Sequence, residues 1–143
     1  MNIIEIKKQR EVDTNNLMTS LGVFWAFSNK QFDENKTPLQ EGEKYVDIGM
    51  GGYIPKHNVE ALLDGMKEIE NTFKKQVKEN KQREAYILYE LNNHEAYYTN
   101  DIDPTLEALG DGYTLEEVQA VYKKYKSQKH IVTGLDNQME KYA

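Results

Sequence analysis

The chain has no cysteine, only three prolines, and no long uncharged apolar run. Without thiols it cannot build a disulfide framework, a thiolate zinc site, an iron–sulfur cluster or a cysteine nucleophile, and it suits a reducing compartment. The opening MNIIEIKKQREVD turns charged at Glu5, so it lacks the apolar core of a signal peptide. No stretch approaches the length of a membrane span. A cytoplasmic protein with no membrane partner is expected. What is present, 143 residues of which 38% are hydrophobic and 29% charged, is enough for one globular domain. At this length, folding buries roughly 70% of the surface of the unfolded chain.

A second absence is local. From Glu84 to Glu117 there are 9 acidic residues and no lysine or arginine. From Met1 to Arg83, 13 basic and 13 acidic residues cancel, and beyond Glu117 the balance is weakly positive, which leaves the formal net charge at -6. That balance argues against a protein that binds nucleic acid by broad phosphate neutralisation. Smaller basic clusters remain, at Lys74, Lys75, Lys78, Lys81 and Arg83, and at Lys123, Lys124, Lys126 and Lys129.

Periodicity predicts the elements. Ile3, Ile4, Ile6, Val12, Leu17, Met18 and Leu21 suit a helix stopped at Gly22. Val23–Phe27 reads as a strand buried on both faces, and Ser28 caps a short helix through Phe32 and Glu34. Tyr45–Ile54 reads as a strand region broken by glycines. After Asn58, a candidate N-cap, the spacing of Val59, Leu62, Leu63, Met66, Ile69, Phe73 and Val77 predicts a long amphipathic helix. Alternation of Ala85, Ile87, Tyr89 and Leu91 predicts a strand, turned at Asn92–Asn93 and paired with Glu95–Thr99 as a hairpin. Asp103–Pro104 opens a helix closed by Gly110, and Thr114 with Glu117 forms a capping box. The resulting fold class is α+β: a single domain over 1–130, with a small antiparallel or mixed sheet packed on the long helix, C-terminal helices, and a frayed polar tail over 131–143. Met66 and Ile69 would serve a homodimer as readily as a core.

Few constellations carry chemistry. His57, His94 and His130 are scattered, and His94-Glu95 departs from H-E-x-x-H because Tyr98 stands four residues on. Asp101 and Asp103 form a pair able to take magnesium, but a helix-capping role for Asp103 is preferred. No metal or cofactor is expected. Gly49, Gly51 and Gly52, with Lys56 nearby, form a possible ligand loop before the long helix, although the spacing matches neither G-x-G-x-x-G nor a P-loop; a glycine bend is the plainer reading. No nucleophile–base pair emerges, so an enzyme is the least favoured class.

The remaining feature is the acidic segment with Tyr86, Tyr89, Tyr97, Tyr98 and Tyr113 interleaved. Tyrosines offer contact area at low entropic cost, and carboxylates steer a basic partner. The segments GVFWAFSNKQF from Gly22, EKYVDIGMGGYIPKHN from Glu43 and YELNNHEAYYTNDIDPTLEALGDGYTLEEV from Tyr89 resemble a group of small uncharacterised accessory proteins of bacteriophages and conjugative elements. The resemblance implies a genomic context in which such proteins modulate the host and block its defences, in the manner of anti-CRISPR proteins. The expected function is therefore inhibition of a host nucleic-acid-handling defence protein, or of its RNA complex. Its partner-binding residues would be Glu90, Glu95, Tyr97, Tyr98, Asp101, Asp103, Glu107 and Asp111. A nucleotide-binding module using the glycine loop, and RNA or DNA binding through the lysine-rich helix faces, stand as alternatives.

Overall fold

A computed structural model describes residues 1–126 and 128 of the chain; the tail read over 131–143, together with Lys129 and His130, lies outside the described residues. The fold is α+β, with α-helices and one three-stranded antiparallel sheet. It divides into two units, Met1–Asn80 and Lys81–Ala143.

The first unit opens with α1, Ile3–Ser20, whose N-cap Asn2 accepts a hydrogen bond from the Glu5 amide through its side chain at 2.9 Å. It stops at Leu21, followed by Gly22 at φ +76°, as the sequence predicts. Strand β1, Phe24–Trp25, leads to α2, Asn29–Asn35, where Ser28 Oγ accepts from the Gln31 amide. Strands β2, Tyr45–Gly49, and β3, Gly52–Pro55, form a hairpin in which β3 is central, in the order β1-β3-β2. A 3-10 turn, Lys56–Asn58, then feeds α3, Val59–Glu79.

The expectation that Val23–Phe27 is buried on both faces is corrected. Phe24 and Ala26 are buried, whereas Trp25 and Phe27 are exposed, Phe27 at 78%. Period-2 alternation along the run sends Phe24 and Ala26 inward and Trp25 and Phe27 outward. Inward, Phe24 meets Phe32 at 5.2 Å, Tyr45 at 5.0 Å and Tyr53 at 5.5 Å between ring centroids. Edge-to-face and offset-stacked geometries of this kind bind the sheet to α2. Helix α3 packs against α1: an added Cβ on Gly65 would meet the Leu17 side chain at 2.6 Å, and Arg10 lies 3.8 Å over the Phe73 ring while reaching Glu70 at 3.5 Å. Asn58 stands at the N-cap position of α3, as the sequence predicts, but makes no side-chain capping bond. Its side-chain amide donates to the Leu21 carbonyl at 2.8 Å instead.

In the second unit, the predicted strand and hairpin over 84–99 are corrected to helix. Helix α4 runs Arg83–Asn93 and α5 Ala96–Thr99. The buried set on α4 is Tyr86, Ile87, Glu90 and Leu91, spaced one, three and four residues apart as a helical stripe requires. Helix α6, Asp103–Leu109, has Pro at its first turn and Gly110 as C-cap, and residues 115–126 form α7. The Thr105 hydroxyl, fully buried, donates to the Glu90 carbonyl at 3.3 Å and ties α6 to α4.

Candidate functional site

Of the nine acids between Glu84 and Glu117, the local chemistry of the second unit sets three apart and leaves six, Glu116 among them, exposed. Three are spent inside the fold. Glu117 receives Arg83 through Nε at 2.5 Å and Nη2 at 2.7 Å, while Arg83 also donates to the Gly112 carbonyl and lies 4.0 Å over the Tyr113 ring. The capping box is thus half made: the Glu117 amide donates to Thr114 Oγ1 at 3.2 Å, but the carboxylate turns to Arg83. Glu84 receives Lys124 at 2.5 Å. Glu90 is only 5% exposed, with its Oε2 3.3 Å from His94 Nε2. Glu90 is therefore corrected from surface acid to buried acid, because it faces inward on a helix.

Glu95, Asp101, Asp103, Glu107 and Asp111 are exposed and form no ion pair among the described residues. They flank or lie on α5 and α6. Glu95 and Asn100, at the two ends of α5, have left-handed backbones, so this stretch turns sharply twice within six residues. Asp101 accepts the Asp103 amide at 3.0 Å, and Asp103 itself makes no side-chain cap. The two aromatic anchors part company. Tyr98 is 82% exposed, whereas Tyr97 is half-buried, stacks on Tyr122 at 4.7 Å and donates its hydroxyl to the Tyr122 carbonyl at 3.1 Å. Burial pushes the Tyr97 phenol up to about 12. Tyr97 is thereby a structural residue of the face and Tyr98 its accessible one.

The ion pairs set a pH dependence. The hydrogen bond from Arg83 holds the Glu117 carboxyl below its ordinary value of 4.5, and that from Lys124 holds Glu84 lower likewise. A carboxyl lowered in the folded state stabilises it above the unfolded value, and that contribution is lost as pH falls through the folded one. The melting temperature followed by circular dichroism is expected to fall from about pH 4.5 downward, and Glu117→Gln to flatten that slope. An unchanged slope in the variant would assign the acid sensitivity elsewhere.

The glycine loop is placed differently from its sequence reading. Met50 and Gly51, at φ +53° and +81°, form a two-residue hairpin turn of the primed kind, which demands positive φ at both positions. An added Cβ on Gly51 would meet the Phe27 ring at 2.5 Å. Lys56 lies beyond the far end of β3, whose four residues separate it from the turn, a span of roughly 13 Å. Gly49, Gly51 and Gly52 are therefore not assembled with Lys56 into a phosphate cradle at α3. The basic clusters are partly consumed as well, since Arg83 and Lys124 serve Glu117 and Glu84.

One arrangement escaped sequence reasoning. Glu43 Oε2 accepts hydrogen bonds from His57 Nδ1 and, at 3.2 Å, from the His57 amide. The hairpin pairs Tyr45 with Pro55, Val46 with Ile54 and Asp47 with Tyr53. Continuing that register outward sets Glu43 opposite His57. The signal existed in the sequence, but only for a reader who knew both the turn and the one-residue bulge between Asp47 and Gly49.

Among the described residues no group of three or more His, Cys, Asp or Glu is placed to hold a metal ion, and no helix is long and apolar enough to cross a membrane. The geometry defines an α+β protein with exposed carboxylates on and beside α5 and α6. The chain belongs to a family of unknown function, DUF7659, which it matches over residues 6–132, a span that includes parts of both units. Neither a curated protein nor a solved structure matches it.

Proposed function

We infer that the chain is a non-enzymatic binding protein whose α5–α6 face occupies a basic protein surface built for nucleic-acid phosphates, such as that of a host RNA-guided or restriction nuclease. The observation that supports this reading is the sorting of charge: the fold neutralises or buries Glu84, Glu90 and Glu117 and leaves Glu95, Asp101, Asp103, Glu107 and Asp111 exposed, as it does Tyr98 in the same stretch of chain. Unpaired carboxylates of one sign raise association rates with a basic groove and exclude acidic partners, and an exposed tyrosine supplies contact area. The test uses purified nucleases of both kinds, stripped of nucleic acid. Binding is expected to weaken steeply with salt and to be competed by the nuclease's own nucleic acid. Replacing the five acids together by Asn or Gln is expected to lower affinity at least about a hundredfold, and Tyr98→Ala about tenfold. Retained binding in the five-site variant, or no binding to any nuclease tested, would overturn the reading.

A further inference from the structure

Within the first unit, the turn of the β2–β3 hairpin and the end of β1 carry exposed apolar side chains. Met50 is 91% exposed, Phe27 78% and Trp25 45%. The two glycines that follow Met50 bring them together. An added Cβ on Gly51 would meet the Phe27 ring at 2.5 Å, and one on Gly52 would meet Trp25 at 2.7 Å and Ile48 at 2.9 Å. Both rings thus rest directly on the glycine backbone. That arrangement is held in place by hydrogen bonds. The Trp25 carbonyl accepts from Asn35 Nδ2, the Ala26 amide donates to the Gly51 carbonyl and the Phe27 amide to Gln31 Oε1, each at 2.8 Å. With those groups engaged, the end of β1 offers a visitor side chains rather than free backbone.

The cluster also lacks charge. Among residues 22–29 and 45–55, Asp47 alone is charged. It pairs with Tyr53, whereas Trp25 pairs with Gly52, and successive strand residues point to opposite faces. Asp47 therefore lies on the face away from Trp25, where its carboxylate accepts the Gly49 amide at 2.7 Å.

We propose that this cluster is the centre of a symmetric contact between two copies of the chain, Trp25, Phe27 and Met50 of one copy meeting the same residues of the other. A twofold contact sets a surface against itself. A face of one charge would then repel its copy, whereas an uncharged apolar face is its own match. The rest of the unit allows the approach, because Met1–Asn80 carries 11 basic and 13 acidic residues, an excess of two acids. Area sets the strength. The three side chains expose roughly 500 Å², so a twofold contact covers about 1,000 Å², the lower bound for a specific interface and short of the ~1,600 Å² of a standard one. The dimer is accordingly an exchanging one, with a dissociation constant of about 10–100 μM.

The experiment is sedimentation equilibrium of the full chain from about 5 to 500 μM, with tryptophan emission recorded over the same series and, in parallel, at low concentration with phosphatidylcholine vesicles. The mass is expected to rise from one chain toward two, and the emission of Trp25, the sole tryptophan, to shift to the blue as the ring leaves water. Added salt is expected to leave the dimer intact, since no ion pair holds it. Met50→Asn is the informative variant. Asn-Gly is the preferred pair for a turn with positive φ at both positions, so the hairpin keeps its turn and loses the apolar side chain. This change is expected to weaken the dimer at least about fivefold and Phe27→Ser at least about tenfold, while Met66→Ser on α3 leaves it unchanged. A chain that stays monomeric throughout, or a dimer untouched by both hairpin variants or broken by Met66→Ser, would overturn the proposal. So would a blue shift that arises only with vesicles, which would make the occupant a lipid surface.

Discussion

Phe24→Ala is expected to lower the stability of the first unit by about 3–5 kcal/mol, the range for removing a buried aromatic side chain from a packed core. Phe24 is 5% exposed and touches three other rings, Phe32, Tyr45 and Tyr53. Its loss removes apolar burial and leaves those rings without their common neighbour. They also contact one another, with Phe32 lying 5.4 Å from Tyr45 and 5.1 Å from Tyr53, so the cluster can close only by tilting β1 and α2 together. The measurement is direct because the chain has one tryptophan, Trp25, next in sequence. Urea unfolding followed by its fluorescence should show a midpoint lowered by about 1.5–2.5 M, for a urea slope of about 2 kcal/mol/M. A shift below about 0.5 M would mean that the ring cluster contributes little beyond its area.

Glu90→Lys is the second large effect. Glu90 sits at 5% exposure beside His94, and a lysine there would bury an ammonium against that imidazole in place of a carboxylate. Creating an uncompensated buried charge costs about 3 kcal/mol or more. The companion substitution Glu107→Lys, at an exposed position on α6, is expected to stay within about 0.5 kcal/mol. Chemical denaturation of the two variants side by side separates the helical arrangement from the strand reading. On a strand with Ala85, Ile87, Tyr89 and Leu91 inward, position 90 would face water and both substitutions would be mild.

That contrast also explains where the sequence was legible. Helix α3 was readable because seven apolar residues over nineteen positions fit a period near 3.6 and no other. The stretch from Arg83 to Asn93 was ambiguous because Ile87 and Leu91, four apart, satisfy both period 2 and period 3.6. Tyrosine and isoleucine then favoured strand on propensity, while the residue that would have decided, Glu90, is charged and was read as outside. Tertiary packing against Thr105 of α6 overrode the local preference. The caps at Ser28 and Gly110 and the turn glycines were legible from local chemistry, whereas Asn58 was claimed by a carbonyl 37 residues away, which no local rule reports. The acidic run is plain in the sequence, but which of its members the fold neutralises depends on Arg83 and Lys124, 34 and 40 residues from their partners, and the burial of Glu90 depends on its helix.

The register of the β2–β3 hairpin has a bearing on other members of the family. Glu43 and His57 meet because the intervening chain holds thirteen residues: two strands with a single bulge, a two-residue turn, and Lys44 and Lys56 at the ends. A relative that gains or loses one residue there must slide one strand past the other or reshape the turn. In either event an acid and a histidine aligned by identity would no longer face each other. The length of this segment, more than the presence of the two side chains, is thus the trait by which inheritance of the Glu43–His57 contact can be followed.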